Sequence, residues 1–142
     1  MQTYRILNIR TNQFAVFESD FSAEDPDLEV NNSCSYGIDI EPGNFHCVIS
    51  ITYSQNGKPV LKIETEAVFQ LSKESMDSFL KGKIFEMPVS TVRYYTDMLY
   101  GATRGILVCK LEGTKLSNII LPPVNWTEVI DRPLTIPLDI HD

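Results

Sequence analysis

The side chains able to do covalent chemistry are few and poorly placed for it. His46 directly precedes Cys47. Neighbouring residues of a strand point to opposite faces, so no thiolate–imidazole pair forms there without a bulge. The alternation around them puts Cys47 on an apolar face, as core, and His46 on the polar face, as an ordinary surface residue. His141 stands one residue from the end of the sequence. Cys34 and Cys109 complete an odd, widely spaced set of thiols with no CxxC or CxxH pair. Free, mostly buried thiols in a reducing compartment are the simplest reading. The sequence contains no HExxH, GxSxG or GxxxxGK[ST] pattern and no glycine-rich loop to cradle a nucleotide. The acidic run Glu18-Ser19-Asp20 with Glu24-Asp25-Pro26-Asp27 lacks the ordered ligand spacing of a calcium loop and reads as solvated. The expectation is no catalytic residue, no metal and no cofactor: a binding protein rather than an enzyme.

The bulk composition suits one domain over residues 1–142. Apolar residues make up 43% and charged residues 22%, enough of each for a single core and a soluble surface. The net charge is −7 and no Lys/Arg cluster occurs. Nucleic acid is therefore not expected as a partner, because phosphate neutralisation drives most such binding. No apolar stretch reaches the ~20 residues that cross a bilayer, so membrane insertion is not expected. Met1-Gln2-Thr3-Tyr4-Arg5 lacks the basic and apolar runs of a signal peptide, and the expected location is the cytoplasm.

The elements that hold these residues alternate first and then change period. Tyr4–Glu18 reads as a long strand with an irregularity near Thr11-Asn12-Gln13. Ser19–Ser33 reads as a polar loop, and Tyr36–Ile40 as a short strand closed by Pro42-Gly43-Asn44. Phe45–Ser54 and Pro59–Leu71 alternate around Asn56-Gly57, a pair suited to a tight hairpin. They predict an antiparallel sheet with one buried and one wet face. After Ser72 the spacing predicts a short helix over Lys73–Lys81, a connection over Gly82–Pro88, and a helix over Ser90–Arg104. Ser90 is its expected N-cap and Gly105 its expected stop. Val92, Tyr95, Thr96, Leu99, Ala102, Thr103 and Ile106 form its inner stripe. Leu107–Leu116 suggests a hairpin, Thr127–Ile130 a helical turn, and 131–142 an extended tail beyond a core of about 4–130. Strands first and helices afterwards indicate an α+β domain.

Aromatic and methionine residues concentrate in the C-terminal half. Most must be core; the rest suit an adaptable apolar groove. Here certain motifs resemble the SecB chaperone family. Ile119–Ile130, with its Leu121-Pro122-Pro123-Val124-Asn125-Trp126, is similar to that family's apolar-Pro-[VI]-Asn-aromatic segment after the long helix. Met87-Pro88-Val89-Ser90, the Thr103-Arg104-Gly105 ending and Ala67-Val68-Phe69 on the fourth strand also resemble it.

The resemblance implies a four-stranded antiparallel sheet with helices packed on one face. It implies a dimer of dimers and an ATP-independent holdase whose apolar grooves take unfolded or precursor polypeptides. By analogy the groove is expected at Phe79, Ile84, Phe85, Met87, Ile120, Leu121 and Trp126, with Phe85→Asp weakening activity while sparing the fold. The family serves protein export through the SecA motor or guards a toxin–antitoxin pair. Lys62 stands where the resemblance implies an acidic SecA contact, and Gln13 shows no acidic match. A lipid-like small-molecule binding domain and a clientless adaptor dimer are the competing expectations.

Overall fold

The computed structural model describes residues 4–138, and the expectations for His141 and for the end of the tail, 139–142, lie outside the described residues. Four strands come first: β1 (Tyr4–Val16), β2 (Leu28–Asp39), β3 (Asn44–Gln55) and β4 (Lys58–Leu71). They form an antiparallel sheet in the order β1-β4-β3-β2. Then follow α1 (Lys73–Phe79), β5 (Leu80–Lys81), β6 (Ile84–Met87), α2 (Val89–Lys110), the single turn α3 (Trp126–Val129) and β7 (Leu134–Pro137). The fold is α+β, with the four-stranded sheet preceding the long helix.

The two central strands behave as their alternation predicts. Phe45, Cys47, Ile49, Ile51 and Tyr53 of β3 are buried, as are Leu61, Ile63, Thr65, Ala67, Phe69 and Leu71 of β4. Asn56 and Gly57 adopt φ of 52° and 78°, the left-handed pair a two-residue hairpin requires. β1 breaks register between Thr11 and Gln13, where the alternation falters, and again between Ile6 and Asn8.

The long helix sits on the buried face and is tied to it by hydroxyls. Thr96 and Thr103 donate back to the carbonyls of Val92 and Leu99, both at 2.7 Å. Their oxygens then accept from the sheet: Tyr36 on Thr96 at 2.7 Å and Thr65 on Thr103 at 2.7 Å. Two bonds seven residues apart lie on one helix face and fix where α2 rests.

Several expectations give way to tertiary pairing. Polar Asn31-Asn32-Ser33 belongs to β2 rather than to a loop, because β3 supplies an uninterrupted partner from Leu28 to Asp39. α2 does not stop at Gly105. An interior glycine costs about 1 kcal/mol, and burial of Leu107 and Leu111 beyond it outweighs that. The hairpin expected over Leu107–Leu116 is thereby replaced by the helix as far as Lys110 and by non-helical turns after it. Ser90 lies inside the helix; the Pro88 carbonyl, accepting from Thr91 and Val92, begins it. The connection at 82–88 contains β6, and the tail contributes β7, so β5-β6-β7 form a second small sheet. Among the described residues no helix is long and apolar enough to cross a membrane.

Candidate functional site

The sheet is wider than the helix that covers it. Four strands at ~4.8 Å spacing span ~14 Å between outer strand axes, while one helix with its side chains covers ~10 Å. The helix-facing residues of the outer strands therefore stay partly open. Ile6 and Ile9 on β1 are 43% and 38% exposed, and Leu28 and Val30 on β2 are 36% and 42%. A groove results on each flank of α2.

The groove on the β2 side is the more enclosed, about 480 Å³ in volume. Its floor is Asn32, Cys34 and Tyr36 of β2 with Ile49 of β3; Tyr100 of α2 forms a wall; Val124, Trp126, Val129 and Ile130 form the rim. The lining is largely apolar. Burial raises the Cys34 thiol above its ordinary value, and pushes Cys47 beneath it up to about 12. Burial likewise raises Tyr36, against the opposing effect of its bond with Thr96. None of these groups is poised as a nucleophile or base at neutral pH; the groove can bind apolar matter but holds no activated group.

The rim is a strap, residues 121–130, fastened to α2 by its polar side chains. Arg93 donates to the carbonyl of Ile130 at 2.8 Å, Trp126 Nε1 to Asp97 at 2.7 Å, Tyr100 to the Pro122 carbonyl at 2.6 Å and Arg104 to the Leu121 carbonyl at 2.9 Å. Residues 93, 97, 100 and 104 recur at helical spacing, a stripe beside the core stripe. Trp126 also meets Tyr100 edge to face at 5.4 Å.

Only Trp126, half-buried, lies in this groove among the seven expected residues. Phe79 and Leu121 are 2% exposed, and Phe85 and Met87 are fully buried. The reason is the strand at β6: its alternation turns Phe85 and Met87 inward and leaves Ile84 41% exposed. Phe85 packs against Phe79 and Phe45 with ring centroids 5.7 and 6.5 Å apart. Phe79, Phe85, Met87 and Leu121 belong to the chain's own core, so Phe85→Asp is expected to unfold the protein. Ile84 and Ile120 reach the surface away from the groove. Reading 19–33 as loop hid the true floor, because Asn32 and Cys34 enter it only through β2's alternation with Tyr36.

The second groove, about 670 Å³ and shallower, lies on the β1 side between Ile9 and Thr11 and the small or apolar α2 residues Ala102, Gly105, Ile106 and Cys109. Cys109, which the sequence pattern did not place, is exposed. The wet face of the sheet carries a network that sequence reading missed. His46 Nε2 bonds Asp39 at 2.8 Å and Nδ1 bonds Glu66 at 3.2 Å, while Glu66 also accepts from Arg10 and Asn12, both at 3.0 Å. Burial opposes charging of His46, but the bonds to Asp39 and Glu66 and their charges raise its pKa on balance. The bond from Asn12 lowers Glu66, burial opposes this, and Arg10 and His46 lower it further. The acidic loop is folded down onto the end of β3. Buried Gln55 accepts from the Ser22 amide at 2.7 Å and donates to the carbonyls of Ser22 and Asp25 at 2.8 and 3.1 Å. Among the described residues no group of three His, Cys, Asp or Glu side chains is placed to hold a metal.

The four-stranded antiparallel sheet with its helices is consistent with the fold of a SecB-like chaperone of known structure. The chain is similar to the Mycobacterium tuberculosis SecB-like chaperone Rv1957, solved with a ChAD peptide from the Rv1956 HigA1 antitoxin. The TM-score is 0.53 at 17% identity, covering 86% of this chain and 91% of that chain. At that identity the likeness is one of fold. No protein-family model and no curated protein matches the chain.

Proposed function

We propose that this chain is a SecB-like holdase that keeps unfolded or precursor polypeptides soluble by binding apolar segments in the β2-side groove, without nucleotide or covalent chemistry. The single observation behind this reading is an apolar groove left open because one helix covers a four-stranded sheet. Apolar burial is non-directional, so such a groove accepts many sequences. The neighbouring SecB-like chaperone holds an antitoxin peptide, which supports a polypeptide ligand for the same fold. An antitoxin-like chain is a fitting client, since that use needs only the groove. Lys62 and Gln13 on the wet face argue against service to SecA.

The working form is a homo-oligomer, with a dimer of dimers the expected arrangement. Ile6, Leu7 and Ile9 of β1 are each 38–43% exposed, and Ile9 lines the β1-side groove; exposed apolar residues together on an edge strand are of a kind that marks association surfaces. A cytoplasmic home fits three free cysteines.

The test is aggregation of a chemically unfolded client on dilution. The wild type is expected to suppress it without ATP. Val129→Asp, at a rim residue 60% exposed, should cut suppression several-fold while the far-UV spectrum and melting temperature hold. Undiminished suppression by Val129→Asp would place the clients elsewhere.

A further inference from the structure

The outer edge of β2 leaves a polypeptide backbone without a partner. β2 ends the sheet order β1-β4-β3-β2. It pairs with β3 in unbroken register from Leu28 to Asp39, and no strand among the described residues pairs its other edge. In an antiparallel strand alternate residues turn their N–H and C=O away from the paired neighbour, so half of β2 presents these groups outward. Such edges are normally blunted by proline, charge or a bulge. The opposite edge strand, β1, carries two register breaks together with Arg5 and Arg10. From Val30 to Ile38, β2 carries no proline, no charge and no register break. The same strand forms the groove floor at Asn32, Cys34 and Tyr36.

Resting on the holdase reading, we propose that a client segment binds as an added strand. Its backbone completes the edge of β2, and its alternate side chains enter the groove against Trp126, Val129 and Ile130. A strand added at ~4.8 Å from β2 places one side-chain row on the groove's face of the sheet. The occupant is an extended, non-acidic stretch of a foreign unfolded chain. Charge decides against a second copy: between Arg10 and Lys58 the sequence holds eight carboxylates and no Lys or Arg. Two such edges repel, whereas a segment without carboxylates is not excluded. Backbone pairing reads no side chain, which gives sequence tolerance a directional source beside apolar burial.

The probe is a fluorescent ten-residue peptide alternating valine with lysine, whose binding is followed by anisotropy. It is prepared unmodified, N-methylated at three valines, and N-methylated at three lysines. Strand addition predicts that one methylated form loses about tenfold or more in affinity, from several backbone bonds lost together. The other form should bind as the parent does, because its methyl groups face away from β2. Equal binding by both methylated forms, equal loss by both, or no binding by any peptide overturns strand addition. So does a native mass that falls when the peptide is added, which would assign the edge to a second copy. Client aggregation measured on the same preparation keeps the two ideas apart: suppression without phase-dependent methyl sensitivity refutes only the added strand, and absence of suppression refutes the holdase.

Discussion

His46 illustrates how a residue's neighbours, not its type, set its role. Both ring nitrogens meet carboxylates, Asp39 from β2 and Glu66 from β4, and Arg10 of β1 holds Glu66 from the far side. The folded-state pKa of His46 is raised above its ordinary 6.5. Its contribution is complete below that ordinary value and is lost as pH rises through the raised one. Glu66 is lowered from 4.5, so its contribution is present above 4.5 and is lost as pH falls through the lowered value. The network therefore stabilises the sheet most between the two ordinary values. Urea unfolding of wild type and His46→Gln should show a wider midpoint gap at about pH 5.5 than at about pH 8.5. A gap that widens with pH would contradict this assignment. At the same scale, Phe85→Asp should abolish cooperative unfolding, since it sets a carboxylate among Phe79, Phe45 and Met87 with nothing to pair it.

At the scale of elements, the docking of α2 on the sheet rests on donors and acceptors that can be counted. Thr103 gives its proton to Leu99, so Thr65 is the donor between the two threonines. Thr103→Val leaves that buried hydroxyl unpaired and should cost about 1–3 kcal/mol. Thr65→Val leaves Thr103 its bond to Leu99 and should cost less. The double variant should fall short of the sum by about 1 kcal/mol, measured by chemical denaturation. Strict additivity would show that the hydroxyls are not coupled. What the sequence made legible follows the same logic. β3 and β4 were readable because both are central, with one face buried against α2 and one wet, and their alternation is strict. β2 was not, because an edge strand is solvated along one side and tolerates Asn31-Asn32-Ser33. β6 was not, because four residues are too few for a period to show, so no spacing opposed the family analogy that put the buried Phe85 and Met87 in the groove. Trp126, which lines the groove, was expected there only through the resemblance to the SecB family.

For the whole molecule, the mismatch between a four-stranded sheet and one helix generates both flanking grooves. One helix does not seal the sheet. One flank, with Ile6, Leu7 and Ile9, suits a second copy; the other, with Cys34, Tyr36 and the strap, suits a client. Sedimentation should show an assembly larger than the 16.1 kDa chain. Ile9→Lys, at a position 38% exposed, should shift it toward the monomer; a monomeric wild type would remove the first flank from the account. The claim that the second flank holds non-native polypeptide is tested most directly by site-specific photo-cross-linking. With the cross-linker at Val129 on the groove rim, an unfolded client should be captured in high yield; with it at Lys62 on the wet face, yield should fall to background. Equal capture at both positions, or capture at Lys62 alone, would contradict the assignment.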